Sequence, residues 1–261
     1  MASSDPNLQN IPIKTSEGRK VREAFVAPKG HKILSADYSQ IELRIMAHLS
    51  KDKGLIKAFK NNEDVHTITA SEIFNCKIHS VTNEQRRYAK VINFGLIYGM
   101  GVYGLAKNLN IERAAAQNYI ERYFSKYPSV RQYMEFTKEA ARQNGYIETF
   151  FGRKLWVPDI NGSNGMRRAA AERAAINGPM QGTAADLIKM AMVAVADWIK
   201  KEDALKGKMI MQVHDELVFE VPDEEIEIFN VNVKKIMENI ASLDIPLIVE
   251  IGSGINWEQA H

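Results

Sequence analysis

A single cysteine, Cys76, stands in 261 residues, so no disulfide can form within the chain, and a reducing compartment such as the cytoplasm suits it. Glycine (16) and proline (8) are too few for a collagen or a stalk, and no low-complexity tract marks a disordered tail. The longest apolar run, Ile188 to Ile199, covers 12 residues and already contains Lys189 and Asp197. That falls well short of the ~20 apolar residues a membrane span needs. The opening Met-Ala-Ser-Ser-Asp-Pro has neither a basic start nor an apolar stretch, so it does not read as a secretory signal. No internal repeat is visible. What remains is ordinary globular composition, 45% hydrophobic and 25% charged, in a chain long enough for one large domain or two modest ones.

Charge is unevenly placed. From Asp215 to His261, 11 acids face only Lys234 and Lys235, giving −9 and leaving +11 on the first 214 residues out of a net +2. The larger portion could therefore meet a polyanion, although solvated surface charge would look the same.

The first 30 residues show little periodicity and read as extended or looping backbone. Lys32-Ile33-Leu34-Ser35-Ala36 is β-prone and ends at Asp37; Ile41, Leu43, Ile45, Met46 and Leu49 then recur at helical spacing. From Asp64 to Asn177 the pattern predicts helices with breaks near Asn75 to Ser80, Gly99 to Gly104, Tyr127-Pro128 and Gly152 to Gly165. Gly178-Pro179 predicts a further break before a helix over 181–201. Two strands, Met209 to Val213 and Leu217 to Val221, flank His214-Asp215-Glu216, followed by a helix from about Asp223 and a last strand over Leu247 to Ile251.

Two groups of residues could carry chemistry. Thr82-x-x-Gln85 is a capping box, so a helix starts at Asn83, and within it Arg86, Lys90, Phe94 and Tyr98 stand four apart on one face. Two cations followed by two aromatics suit phosphates followed by a sugar and base, and suit equally a plain amphipathic helix. The second group is Asp37 at one strand end and Asp215-Glu216 between two others. Carboxylates converging from separate strands repel, and divalent cations relieve this best; a polar hairpin tip is the plain alternative. Gly99-Met100-Gly101-Val102-Tyr103-Gly104 fits a dinucleotide-binding fingerprint, but helix precedes it and no strand alternation follows. Asp159-x-Asn161-x-Ser163 hints at a calcium loop, yet its twelfth position is Ala170. His48, His66 and His79 lack the spacing of a zinc site.

Three stretches in order, Asp37-Tyr-Ser-Gln-Ile-Glu-Leu-Arg44, Arg86-Arg-Tyr-Ala-Lys-Val-Ile-Asn-Phe-Gly-Leu-Ile-Tyr98 and Gln212-Val-His-Asp-Glu216, resemble motifs A, B and C of family A DNA polymerases. Further likeness runs from Asp5-Pro-Asn-Leu-Gln-Asn-Ile-Pro12 through Asp64-Val-His66 and Arg173-Ala-Ala-Ile-Asn177 to Trp257-Glu-Gln-Ala-His261. The resemblance implies an α+β fold, with an antiparallel palm sheet backed by helices and an inserted helical fingers subdomain. Residues 1–64 and 161–261 would be palm and 65–160 fingers, as a fragment without the thumb and exonuclease-like domains of family members. Gly101 stands where many relatives have Ser.

By the same resemblance the chain would be a DNA-directed DNA polymerase, a nucleotidyltransferase of replication and repair. Its partners would be primer-template DNA and a dNTP, without a membrane, as a cytoplasmic, nucleoid-associated monomer. Asp37 and Asp215, with the carbonyl of Tyr38, would hold two Mg²⁺ ions, with Glu216 assisting peripherally. His66, Arg86 and Lys90 would meet the triphosphate, Lys90 also protonating pyrophosphate. Phe94, Tyr98, Gln40 and Glu42 would complete the nucleotide site, with Glu42 bonded to Tyr98 and excluding a 2′-hydroxyl. Arg173, Asn177, Gln181 and His214 would touch DNA. Two alternatives stay open: a non-catalytic DNA- or nucleotide-binding module, and a single-subunit RNA polymerase.

Overall fold

The structure is a computed structural model that describes residues 7–12 and 15–261. Residues 1–6, which include the first two of the Asp5 to Pro12 stretch, and residues 13 and 14 lie outside the described residues. The chain forms two compact units, one of Met1–Ile41, Ala184–Ser242 and Leu247–His261, the other of Glu42–Thr183 and Leu243–Pro246.

The first unit is built on a four-stranded sheet in the order β4-β5-β1-β6, with every neighbouring pair antiparallel. The strands are β1 (His31–Tyr38), β4 (Lys208–Val213), β5 (Glu216–Pro222) and β6 (Val249–Gly254). Strand β1 is central, and Ile33, Leu34, Ser35 and Ala36 are all buried, as expected of a strand covered on both faces. One face packs Ile33, Val213, Val218, Trp257 and Ala260 together. On α10 (Ile226–Glu238), Ile226, Phe229, Val233 and Met237 recur at helical spacing and are buried, with Phe229 edge-on to Phe219. The α+β class with an antiparallel sheet is therefore observed. One expectation fails here: within the supposedly irregular opening, Ser16–Glu23 is helical (α1). Thr15 caps it by accepting the Gly18 N–H at 3.1 Å, and Glu17 early with Lys20 and Arg22 late suit the helix dipole.

The second unit is mostly helical: α2 (Ile41–Ser50), α3 (Lys53–Lys60), α4 (Val65–Phe74), α5 (Asn83–Ile97), α6 (Val102–Leu109), α7 (Arg113–Lys126) and α8 (Pro128–Asn144). A short hairpin, β2 (Tyr146–Glu148) with β3 (Lys154–Trp156), lies within the stretch read as helical. Three-residue strands carry too little alternation to register as strands. The hairpin is held by Ile147, Leu155 and Val157 packing on Ala141, Ala171 and Ala175.

The long helix α9 (Gly165–Lys201) runs unbroken through Pro179, which corrects the break expected at Gly178-Pro179. Glycine here serves a close approach rather than a turn. A Cβ at Gly178 would fall 2.6 Å from Ile147 Cδ1, and one at Gly182 2.5 Å from Thr149 Cγ2. The hairpin packed there, with Phe150 N–H donating to Thr183 Oγ1 and Arg153 Nη2 to the Gly182 carbonyl, both at 2.9 Å, offsets the one bond proline forgoes.

Candidate functional site

Asp37, the last residue but one of β1, is paired with Glu216. Beside it, β4 turns into β5 through the two residues His214-Asp215, between the paired Val213 and Glu216. His214 adopts φ +52°, the left-handed geometry such a short return needs. The Tyr38 N–H donates to the Asp215 carbonyl at 3.2 Å and fastens the loop against the strand end. Asp37 Oδ1 is buried with no hydrogen-bond partner. Burial first, then the neighbouring Asp215, Glu216 and Glu250, pushes the Asp37 carboxyl up to about 7. Burial raises Asp215 as well, against the pull of its own N–H and of His214.

Two aspartates in this state suit a divalent cation, which would supply the missing partner and cancel the repulsion. Among the described residues no three His, Cys, Asp or Glu side chains gather into a metal site. The side-chain ligands available are thus the two aspartates. The Tyr38 hydroxyl donates instead to the Met237 carbonyl at 2.8 Å, leaving its backbone as its contribution near the strand end. Gln40 has φ +53° and a buried, unpartnered Oε1.

Glu216 is engaged differently. Its Oε1 accepts from Ser35 Oγ at 2.6 Å and from Trp257 Nε1 at 2.9 Å, and His261 Nε2 lies 3.6 Å from Oε2. Buried and bonded in this way, it braces the Trp257 to His261 segment.

In the second unit the capping box forms as expected: Thr82 Oγ1 accepts the Gln85 N–H and Gln85 Oε1 accepts the Thr82 N–H. On the resulting helix Arg86 and Lys90 are exposed, while Phe94 and Tyr98 are half-buried. The two rings lie nearly parallel with centroids 6.4 Å apart. Arg86 Nε donates to Asp64 Oδ2 at 2.5 Å. Burial opposes ionisation of Asp64, but hydrogen bonds from Arg86 and Thr67 outweigh it and bring the carboxyl down to about 2. His66 is only 2% exposed and lies 5.8 Å from the Phe94 ring. Burial lowers it to about 4, with Arg86 and Lys90 adding to the effect and Asp64 opposing. It is therefore a neutral ring at physiological pH. The Tyr98 hydroxyl donates to Glu42 Oε2, the bond implied by the motif resemblance.

Arg173, Asn177 and Gln181 share one face of α9 because the helix does not break between them. Arg173 lines a cavity of about 610 Å³ with Gly99, Met100, Gly101, Arg131 and Lys138. Asn177 Oδ1 is buried without a partner, and Gln181 is exposed. His214 is exposed on the hairpin loop of the first unit. Sequence reasoning did not single out Asn93 or Thr69, which the structure links to His66. A signal existed: Asn93 is polar on the face where Ala89 and Ile97 are fully buried.

An antiparallel sheet with an aspartate pair at one strand end, and a capped helix with a stripe of cations and aromatics, are features of template-reading polymerases as a class. The sequence model of DNA polymerase family A matches residues 1–259, and the chain belongs to that family. It is 57% identical over 261 residues to DNA polymerase I of Pseudomonas aeruginosa and 48% identical over 261 residues to that of Bacillus subtilis, covering all of this chain but 28% and 30% of those proteins. The chain thus spans less than a third of these relatives. It also superposes with a TM-score of 0.95 and 46% identity on the POL domain of Pol1 from M. smegmatis in complex with DNA primer-template and dNTP, covering 99% of this chain and 46% of that one. No helix among the described residues is long and apolar enough to cross a membrane.

Proposed function

We propose that this chain extends a DNA primer on a template, in the bacterial cytoplasm on nucleoid DNA. The primer 3′-oxygen bonds to the α-phosphorus of a dNTP as the bond to pyrophosphate breaks. The observation that carries this reading is the half-buried pair Asp37, near the end of β1, and Asp215, on the adjoining hairpin loop, with Asp37 Oδ1 buried and lacking any partner. These two carboxylates and the Tyr38 carbonyl would hold two Mg²⁺ ions. When bound, the ions lower the pKa of the primer hydroxyl and offset charge on the phosphates.

The other residues divide the remaining work. Arg86 and Lys90 draw in the triphosphate, and Lys90 gives a proton to the departing pyrophosphate. Arg86 exchanges Asp64 for a phosphate oxygen, and an exposed pair of this kind is worth only about 0–1 kcal/mol. His66 contributes an N–H donor rather than a charge. Phe94 packs against the sugar and base, Tyr98 against the nascent pair, and Gln40 meets the nucleotide from the strand end. Glu42, fixed by Tyr98, closes the space a 2′-hydroxyl would occupy, which favours DNA over RNA synthesis. Arg173, Asn177, Gln181 and His214 contact DNA. Glu216 supports the aspartates by bracing the strand end. On this reading 1–64 and 161–261 work as palm and 65–160 as fingers.

The test is pyrophosphate release on a primer-template. Release is expected only with Mg²⁺ and only with the dNTP that pairs with the template base. Tight binding of DNA and dNTP with no release would instead make the chain a binding module.

A further inference from the structure

Four buried polar side chains of the second unit form a line that ends at His66. Tyr127 lies between α7 and α8, and its hydroxyl is 3.3 Å from Thr69 Oγ1. Thr69 Oγ1 is 3.0 Å from Asn93 Oδ1, and Asn93 Nδ2 is 2.9 Å from His66 Nδ1. Each residue is at most 2% exposed, so bulk water does not supply alternative partners.

The far end sets the direction of the line. Burial raises the Tyr127 phenol to about 12, so it keeps its proton. Among the described residues, Thr69 Oγ1 is the acceptor in its reach. A threonine hydroxyl that accepts from Tyr127 turns its own proton to Asn93 Oδ1. The asparagine amide is then oriented, oxygen to Thr69 and NH₂ to His66. An NH₂ group only donates, so Nδ1 of the imidazole presents its lone pair and the ring proton sits on Nε2. With Nδ1 covered, the Nε2 edge is the one left for a ligand.

The line itself is anchored. Asp52 accepts from Gly54 N–H and Leu55 N–H at the start of α3 and from Ser129 N–H in the first turn of α8, two residues after Tyr127. The ionisable groups facing His66 are Asp64, which caps its helix, and Arg86 and Lys90 on α5.

We propose that Asn93, aligned by Thr69 and Tyr127, is the positioning residue that fixes His66 as a neutral Nε2–H donor to the incoming triphosphate. The role toward the triphosphate rests on the polymerase reading above; the tautomer does not. The arrangement gives the phosphates a hydrogen bond without placing a third cation beside Arg86 and Lys90. Affinity through His66 therefore stays level across neutral pH.

The test is the ¹⁵N spectrum of the ring in the histidine-labelled chain without nucleotide, with His66 identified by its loss in His66→Gln. The Nε2–H tautomer alone is expected. Asn93→Asp offers only acceptors to Nδ1, so Nδ1 should carry a proton, and the titration midpoint should rise from about 4 to near or above the ordinary histidine value, with the ring doubly protonated below that midpoint. Thr69→Val frees the amide to flip and should give mixed tautomers, whereas Thr69→Ser should restore the single form. An Nδ1–H tautomer in the parent chain overturns the proposal. So does a single Nε2–H form in Thr69→Val, a readout that stands even where Asn93→Asp fails to fold. A dNTP titration forms the second arm: Asn93→Asp should bind at least about tenfold more tightly at pH 6 than at pH 8, with the parent flat. If the tautomer is as assigned but His66→Gln leaves dNTP affinity unchanged, the role toward the triphosphate falls while the alignment stands.

Discussion

Replacing Asp37 with Asn should stabilise the metal-free chain, and the size of the gain should depend on pH. In the folded chain the Asp37 carboxyl is pushed up to about 7 from its ordinary 3.8, by burial and by Asp215, Glu216 and Glu250. The folded form therefore holds this proton more tightly than the unfolded form. Below about pH 4 both forms are protonated and nothing is lost. As pH rises from about 4 to about 7 the unfolded chain ionises first, and stability falls; above about 7 the loss is complete. Each pKa unit corresponds to about 1.4 kcal/mol, so the full loss is at most about 4 kcal/mol, or roughly 2 to 4 with partial solvent screening. Asparagine keeps the shape and never ionises. Urea unfolding at pH 8 should show Asp37→Asn more stable than the parent by that amount, with the gap closing near pH 4. Mg²⁺ should stabilise the parent and not the variant, narrowing the gap at pH 8. Equal or lower stability of Asp37→Asn at pH 8, or a gap that persists at pH 4, would refute the reasoning.

Four further outcomes follow from individual contacts. Glu216→Gln should lower stability by about 1–3 kcal/mol, because a buried acceptor bonded to Ser35 and Trp257 is altered, and should reduce synthesis far less than either aspartate change; urea unfolding and primer extension measure both. Gly101 caps α6 with no side-chain bond and has open space at its Cβ, so Gly101→Ser should raise the free energy of unfolding by about a few tenths of a kcal/mol, and a lower value in urea unfolding would show that the cap does not form. Glu42→Ala, in a longer polymerase carrying this chain, should admit ribonucleotides about ten- to hundred-fold more readily in single-nucleotide kinetics, since the side chain held by Tyr98 is gone. Phe94→Tyr should weaken discrimination against dideoxynucleotides by about ten- to hundred-fold, as a phenol can supply the hydrogen bond that the missing 3′-hydroxyl no longer makes; an unchanged ratio would remove Phe94 from the sugar.

The four-stranded sheet was legible because its signals are local. A β-prone run into Asp37, two apolar runs around His214-Asp215 and the run from Leu247 to Ile251 point to all four strands, the last of them beginning and ending two to three residues later than expected, and the Thr82 to Gln85 box gives the start of α5. Gly178-Pro179 misled because a sequence shows that glycine can break a helix and not that Ile147 and Thr149 press against it. The β2–β3 hairpin is held by contacts with α8 and α9, which no three-residue window contains. At the site, residue types pointed to Asp37 and Asp215, but not to the different environment of Glu216, whose bonds to Ser35 and Trp257 span 181 and 41 residues of sequence. His66 enters the sequence reading only through the motif resemblance, and nothing in the residues around it marks its ring as neutral. Its burial, which makes it a neutral donor, is a property of packing alone.

The most direct test of the account is primer extension under Mg²⁺ by a polymerase carrying this chain, compared with Asp37→Asn and Asp215→Asn. Each variant should keep its fold and lose templated extension by about a thousandfold or more, because each removes a charge that the two-metal chemistry requires. Extension by either variant at a rate near that of the parent, or extension by the parent that persists when the metal is chelated, would contradict it.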